Sequence, residues 1–128
     1  MKIIGIGVDM IQNSRISSSI KNIRFIKRTF SKNEINISKK LKNKTNFFSK
    51  RFVAKEAFAK ALGTGIRNDL NFKDIQILND KFGKPYYMIS TKIKSMIRKK
   101  KRIKNFDIFL SISDQKEYSI AFAIIQTI

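Results

Sequence analysis

The chain contains no cysteine and no histidine. Without thiolate or imidazole, zinc sites of the usual kind are excluded, because zinc takes its ligands mainly from those two side chains. The commonest general base and the softest nucleophile are missing as well. Disulfides are impossible, and this is consistent with the cytoplasm. Any chemistry falls to carboxylates, lysines, hydroxyls, water and an oxygen-liganded metal. Acidic residues are scarce too: nine Asp and Glu stand against 28 Lys and Arg, a formal charge of +19. Long apolar runs are also lacking. The stretch Ile120 to Ile125 is far too short to span a bilayer. The apolar run after Lys2 is interrupted by Asp9, with no small-residue cleavage site behind it, so it does not read as a signal peptide. A soluble, cytoplasmic protein is expected.

What is present fits one folded domain spanning residues 1–128, with 42% hydrophobic residues and 11 Phe. Lys, Ile, Asn and Phe are abundant together, so part of the charge reflects composition. A field of this sign still favours polyanionic partners: nucleic acid, anionic membrane, a phosphorylated cofactor or an acidic protein.

The pattern predicts helices first and hairpins later. Ile3 to Val8 reads as a buried strand closed by Asp9. Ile16, Ile20, Ile23 and Phe30 fall near helical spacing, with Lys21, Arg24 and Arg28 opposite, which predicts a short basic amphipathic helix. Ser31 and Glu34 match a capping box and should open a helix running to about Leu41. Asn43 to Asn46 is a polar break, and Phe47 to Leu62 is helical up to a stop at Gly63. Ile75 and Ile77, then Tyr86 to Ile89 after a turn, predict one hairpin. Thr91 to Arg98 reads as a helix. Phe106 to Ile112 and Ile120 to Ile124 predict a second hairpin, turning at Ser113 to Glu117. This order indicates an α+β fold.

Because acids are rare, their positions are informative. On the helical wheel Glu56 neighbours Phe52, Val53, Ala59 and Lys60, in a helix apolar on several sides and therefore mostly buried. A buried carboxylate and ammonium must be paired or bind something. Taken singly, each feature has a plain structural account. Glu56 and Lys60 make an ordinary helix pair. Asp9 is a turn-starting strand end, and Gly63-Thr64-Gly65 a helix cap and loop. The last pattern is neither a P-loop nor a dinucleotide fingerprint.

Jointly, Gly5-Ile-Gly-Val-Asp9 and Arg51-Phe-Val-Ala-Lys-Glu-Ala-Phe-Ala-Lys-Ala-Leu-Gly-Thr-Gly65 resemble the two signatures of the holo-acyl-carrier-protein synthases, small bacterial 4'-phosphopantetheinyl transferases. Phe72 to Ile75, Asn79-Asp80, Gly83-Lys-Pro85 and Ser111-Ile-Ser113 before Glu117-Tyr118 fit in the same order. The resemblance covers nearly the whole chain. It implies a single-domain homotrimer, with helices packed on a mainly antiparallel sheet and coenzyme A bound between neighbours. It implies magnesium-dependent transfer of the phosphopantetheine arm of coenzyme A onto a serine of acyl carrier protein. Adenosine 3',5'-bisphosphate is released, and the reaction supports fatty acid biosynthesis.

Carried over by position, Asp9 and Glu56 are the metal ligands, and Lys60 stabilises the leaving bisphosphate. Glu56, directly or through a metal-bound water, accepts the serine proton. Arg51, Gly63, Thr64 and Gly65 help hold the phosphates, with Lys84 and Pro85 near the nucleotide. Arg15, Arg24, Arg28 and Phe25 are the contacts for the acidic carrier protein, against the plainer reading of a solvated basic face. Asp114 stands where many relatives carry His, and is expected to be a turn or hydrogen-bonding residue rather than an essential catalyst. The basic run Arg98 to Arg102 reads as a solvated helix end. Two rival classes, a basic nucleic-acid-binding module and a non-catalytic assembly protein, leave Asp9 and Glu56 unexplained.

Overall fold

The computed structural model describes residues 1–63 and 70–128. Along the chain it forms β1 (Ile3–Gln12), α1 (Asn13–Ser19), α2 (Ile23–Thr29), α3 (Lys32–Ser38) and α4 (Lys44–Leu62). After a 3-10 turn at Phe72–Asp74 come β2 (Ile75–Asn79), β3 (Pro85–Ile89), α5 (Thr91–Lys101), β4 (Phe106–Asp114) and β5 (Tyr118–Thr127). All strand pairings described are antiparallel: β1-β5-β4 in one sheet and β2-β3 in another. The α+β expectation and both hairpins hold.

Boundaries differ where local capping overrides periodicity. The strand does not close at Asp9. It runs on to Gln12 because β5 continues to pair with it, Asp9 opposite Ala121 and Gln12 opposite Tyr118. The predicted basic helix is two helices. The chain turns after Ser19, and Asn22 starts α2 by accepting a hydrogen bond from the Arg24 amide. The Ser31–Glu34 capping box is formed, but α3 ends at Ser38 rather than Leu41. Helix α4 begins inside the expected polar break, at Lys44, because Asn43 caps it through the Asn46 amide. Helix α5 extends through the basic run to Lys101, where Arg102 closes it in the left-handed region.

Helix α4 is the central element, buried on most of its surface. It lies across the inner face of β1 and β5. That face is made of small residues: Gly5 and Gly7 on β1, Ala121 and Ala123 on β5. A Cβ at Gly5 would overlap the carbonyl oxygen of Ala61, and one at Gly7 that of Ala57. The two glycines therefore remove side chains so that helix backbone can rest directly on strand backbone. A second apolar cluster of Ile16, Phe30, Phe47 and Phe48 anchors α1, α2 and the start of α4. The sheet's other face is exposed yet apolar, with Ile6, Val8, Met10, Phe109, Ile120 and Phe122 each more than a third accessible.

This packing predicts the effect of one methyl group. In an open site, Gly→Ala stabilises by about 0.4–1 kcal/mol through the unfolded chain. Gly7→Ala should instead lose about 1–3 kcal/mol, as overfilled cores do. A urea midpoint lowered at unchanged m-value checks this. An equal or higher midpoint would mean that α4 lifts off β1 without cost.

Candidate active site

The contact between β1 and α4 brings Asp9, Glu56 and Lys60 to one place. Asp9 follows Gly5 and Gly7 on the inner face of β1, with its side chain 18% accessible. The Lys60 ammonium donates to Asp9 Oδ1 at 2.9 Å and to the Val8 carbonyl at 3.0 Å. The lysine thus turns to the strand and pairs with Asp9. Its side chain stays about half exposed, so the pair orients the groups more than it stabilises the fold.

Glu56, one turn before Lys60, faces the same cleft of about 390 Å³ as Asp9, Arg15, Ile16, Phe25 and Phe52. Its carboxyl is held above the usual carboxylate range, first by burial and then by the negative charge of Asp9, while Lys60 pulls the other way. Two carboxylates that face one cleft and repel each other fit a hard divalent cation with oxygen ligands. Among the described residues no cluster of three His, Cys, Asp or Glu forms, so such a cation would draw further ligands from water or a bound molecule.

The expected partner contacts gather around the cleft and its neighbour. Arg15 lines the first. Phe25 and Phe52 separate it from a second, apolar cleft of about 400 Å³, reached also by Arg28, Leu70 and Phe72. Arg24 is exposed on the same helix, α2.

Arg51 does not join this group. It lies five residues before Glu56, about 140° away around α4. It is 5% accessible, donates to Asn79 Oδ1 at 2.9 Å and stacks on Phe47 at 3.8 Å. With Lys50, Gly83, Pro85 and Asp114 it lines a smaller cleft of about 130 Å³. Lys84 is exposed in the β2–β3 turn beside Pro85, its amide donating to Asp80. Asp114 ends β4 and accepts from Asn46 Nδ2 at 2.6 Å. One ligand's expected contacts thus fall into two clefts on different sides of α4. Gly63 caps that helix at φ +82°, its amide donating to Ala59 and Lys60. Thr64 and Gly65 lie outside the described residues. The basic run is the solvated helix end expected of it, with Arg98 donating to Lys104.

Sequence reasoning missed the buried ion pair Lys55–Glu34, 2.8 Å apart with both side chains inaccessible. Glu34 was legible only as a capping residue, and Lys55 was hidden beside Glu56. The available signal was a cation in the middle of a helix with no solvated face.

Comparison with known proteins follows the same lines. The sequence profile described as the 4'-phosphopantetheinyl transferase superfamily matches residues 5–123. A holo-[acyl-carrier-protein] synthase of Pelagibacter ubique is 57% identical over 126 residues, covering 98% of each chain. The Bacillus anthracis holo-(acyl-carrier-protein) synthase, solved in complex with coenzyme A (3',5'-ADP), superposes with TM-score 0.84 at 35% identity, covering 100% of both chains. The Neisseria meningitidis synthase superposes with TM-score 0.88 at 33% identity over 98% of this chain and 99% of its own.

The electrostatics of the cleft can be checked by carbon-13 NMR titration of the Glu56 carboxyl. Asp9→Asn removes a neighbouring negative charge, so the Glu56 pKa should fall while burial keeps it above the ordinary value. Lys60→Met removes the opposing positive charge and should raise it. Identical titrations in all three proteins would show that these groups do not share a field.

Proposed function

The chain belongs to the holo-[acyl-carrier-protein] synthase family, and from that premise we propose the following magnesium-dependent reaction. It moves 4'-phosphopantetheine from coenzyme A to a serine of apo-acyl carrier protein and releases adenosine 3',5'-bisphosphate, in support of fatty acid biosynthesis. The observation that carries this reading is the meeting of Asp9, Glu56 and Lys60 at one cleft.

Asp9 and Glu56 would hold the metal, which would supply positive charge to a bound pyrophosphate. The carrier's serine oxygen attacks the phosphorus that bears the pantetheine arm. The bond from that phosphorus to the oxygen of the departing nucleotide breaks. Lys60, half exposed beside Asp9, is placed to neutralise charge developing on the leaving bisphosphate. Glu56, directly or through a water, accepts the serine proton, the chain having no histidine for that task. No nucleophile of this chain is needed, in accord with its lack of cysteine and histidine. Arg15 and Arg28 line the two clefts and Arg24 is exposed on α2, giving positive charge for an acidic carrier, and Phe25 offers an apolar anchor.

Two features support a homotrimer whose sites lie between subunits. The outer sheet face is apolar and has no partner among the described residues. The metal residues and the Arg51–Pro85 cleft lie on different sides of α4, so one protomer's cleft would complete another's.

Mass spectrometry tests the reaction directly: apo-acyl carrier protein incubated with coenzyme A, magnesium and this protein should gain one phosphopantetheine. Asp9→Ala and Glu56→Ala should each abolish the gain with the fold intact, and Asp9→Ala with near-normal activity would refute the site. Lys60→Ala should lower kcat more than it weakens coenzyme A binding. For assembly, Phe122→Glu should yield monomers by light scattering and lose transfer. An active Phe122→Glu monomer would remove the intersubunit site.

A further inference from the structure

The network around Glu34 is an arrangement that fold stability alone does not explain. Glu34, on α3, is fully buried and accepts from the Ser31 amide at 2.9 Å, Lys55 Nζ at 2.8 Å and the Ile77 amide at 3.1 Å. Lys55 is equally buried and also donates to the carbonyls of Phe72 at 2.9 Å and Ile75 at 2.6 Å. All three of its protons are used. The pair is therefore complete and joins α3, α4 and β2.

A third charge is packed against it. The Arg51 guanidinium is also desolvated, and its Nε is a buried donor without an acceptor among the described residues, 4.0 Å from Glu34 Oε2. Its other contacts are the Phe47 ring and Asn79 Oδ1. A buried cation with an unsatisfied N–H costs free energy and adds little stability. Such a cost is expected where a rigidly aimed guanidinium is needed for another purpose. Arg51 lines the cleft shared with Lys50 and Pro85, and a planar fork fits phosphate oxygens in pairs. Asp114, the acid in that cleft, is occupied by Asn46.

We propose that Glu34 and Asn79 are positioning residues that clamp the Arg51 guanidinium for the phosphate groups of coenzyme A, with Lys55 as the counter-charge that permits a buried Glu34. This rests on the reading of Arg51 as a coenzyme A contact. Glu34 draws the guanidinium from the core side through its charge. Asn79 holds its Nη2 edge from the end of β2, and Phe47 fixes its plane. Glu34 is buried and does not meet the ligand, whereas Asn79 lines the same cleft as Arg51.

Steady-state kinetics on the full chain tests this. Asn79 is exposed, so its variants fold. Asn79→Ala should raise KM for coenzyme A about tenfold, the effect of one charge-assisted hydrogen bond, with kcat and KM for carrier protein within about twofold. Asn79 also donates to the Gly83 carbonyl, so Asn79→Ala alone could act by loosening the turn. A loss that came from the turn, or from a direct contact of Asn79 with the ligand, would persist on top of Arg51→Ala. Glu34→Gln should raise the same KM, and neither change should add to Arg51→Ala. An unchanged coenzyme A KM in Asn79→Ala, or additive losses on Arg51→Ala, would overturn the clamp while leaving the function standing. Arg51→Ala with unaltered coenzyme A KM, or wild-type protein without transfer, would remove its premise.

Discussion

Everything in this molecule depends on how closely α4 lies on β1. The helix backbone at Ala57 and Ala61 touches the strand where Gly5 and Gly7 carry no side chain. That contact sets the distance between two elements far apart in sequence. It makes Asp9, two residues past the second glycine, the neighbour of Glu56 and Lys60. A wider separation, as larger side chains impose, would leave the carboxylates too far apart to share a cation. The glycines commonly noticed for flexible phosphate loops serve here as spacers, and rigidity is their contribution.

The same helix divides charged residues into two kinds. Lys60 and Glu56 keep contact with solvent at the edge of a cleft. Lys55 and Arg51 are withdrawn into the fold, where a carboxylate from α3 answers them. Lys55 is lowered to about 8, chiefly by burial, with Glu34 opposing that fall. Four residues of one helix therefore span the range from wet to dry, and their roles follow that gradient rather than their residue type.

Much of this was legible in the sequence because it is carried by local signals. Alternation marked the hairpins, Ser31 with Glu34 marked a helix start, and Gly63 a helix end. Asp9, Glu56 and Lys60 stood out as ionisable groups in apolar surroundings. The rest needed long-range information. Whether the strand stopped at Asp9 was decided by β5, which pairs with it past that point. The break between α1 and α2 depended on the Asn22 cap prevailing over a helical spacing that ran through it. That Arg51 faces away from Glu56 is simple helix geometry, yet its placement with Pro85 and Asp114 required the β2–β3 hairpin to fold alongside. The Lys55–Glu34 pair combines residues from separate helices and leaves no periodic trace.

The pairing of β1 with β5 also has a bearing on synthesis. Ile3 lies opposite Gln126, so β1 leaves a ribosome well before its partner β5 has been made. Until then the apolar strand β1 waits, with α4 its main cover among the described elements. Contacts of such sequence separation form slowly, since the loop must close before they are rewarded. The Asp9 carboxylate on β1 is thus translated long before the strand that fixes it in place. A nascent or prematurely ended chain would hold the motif without the enzyme.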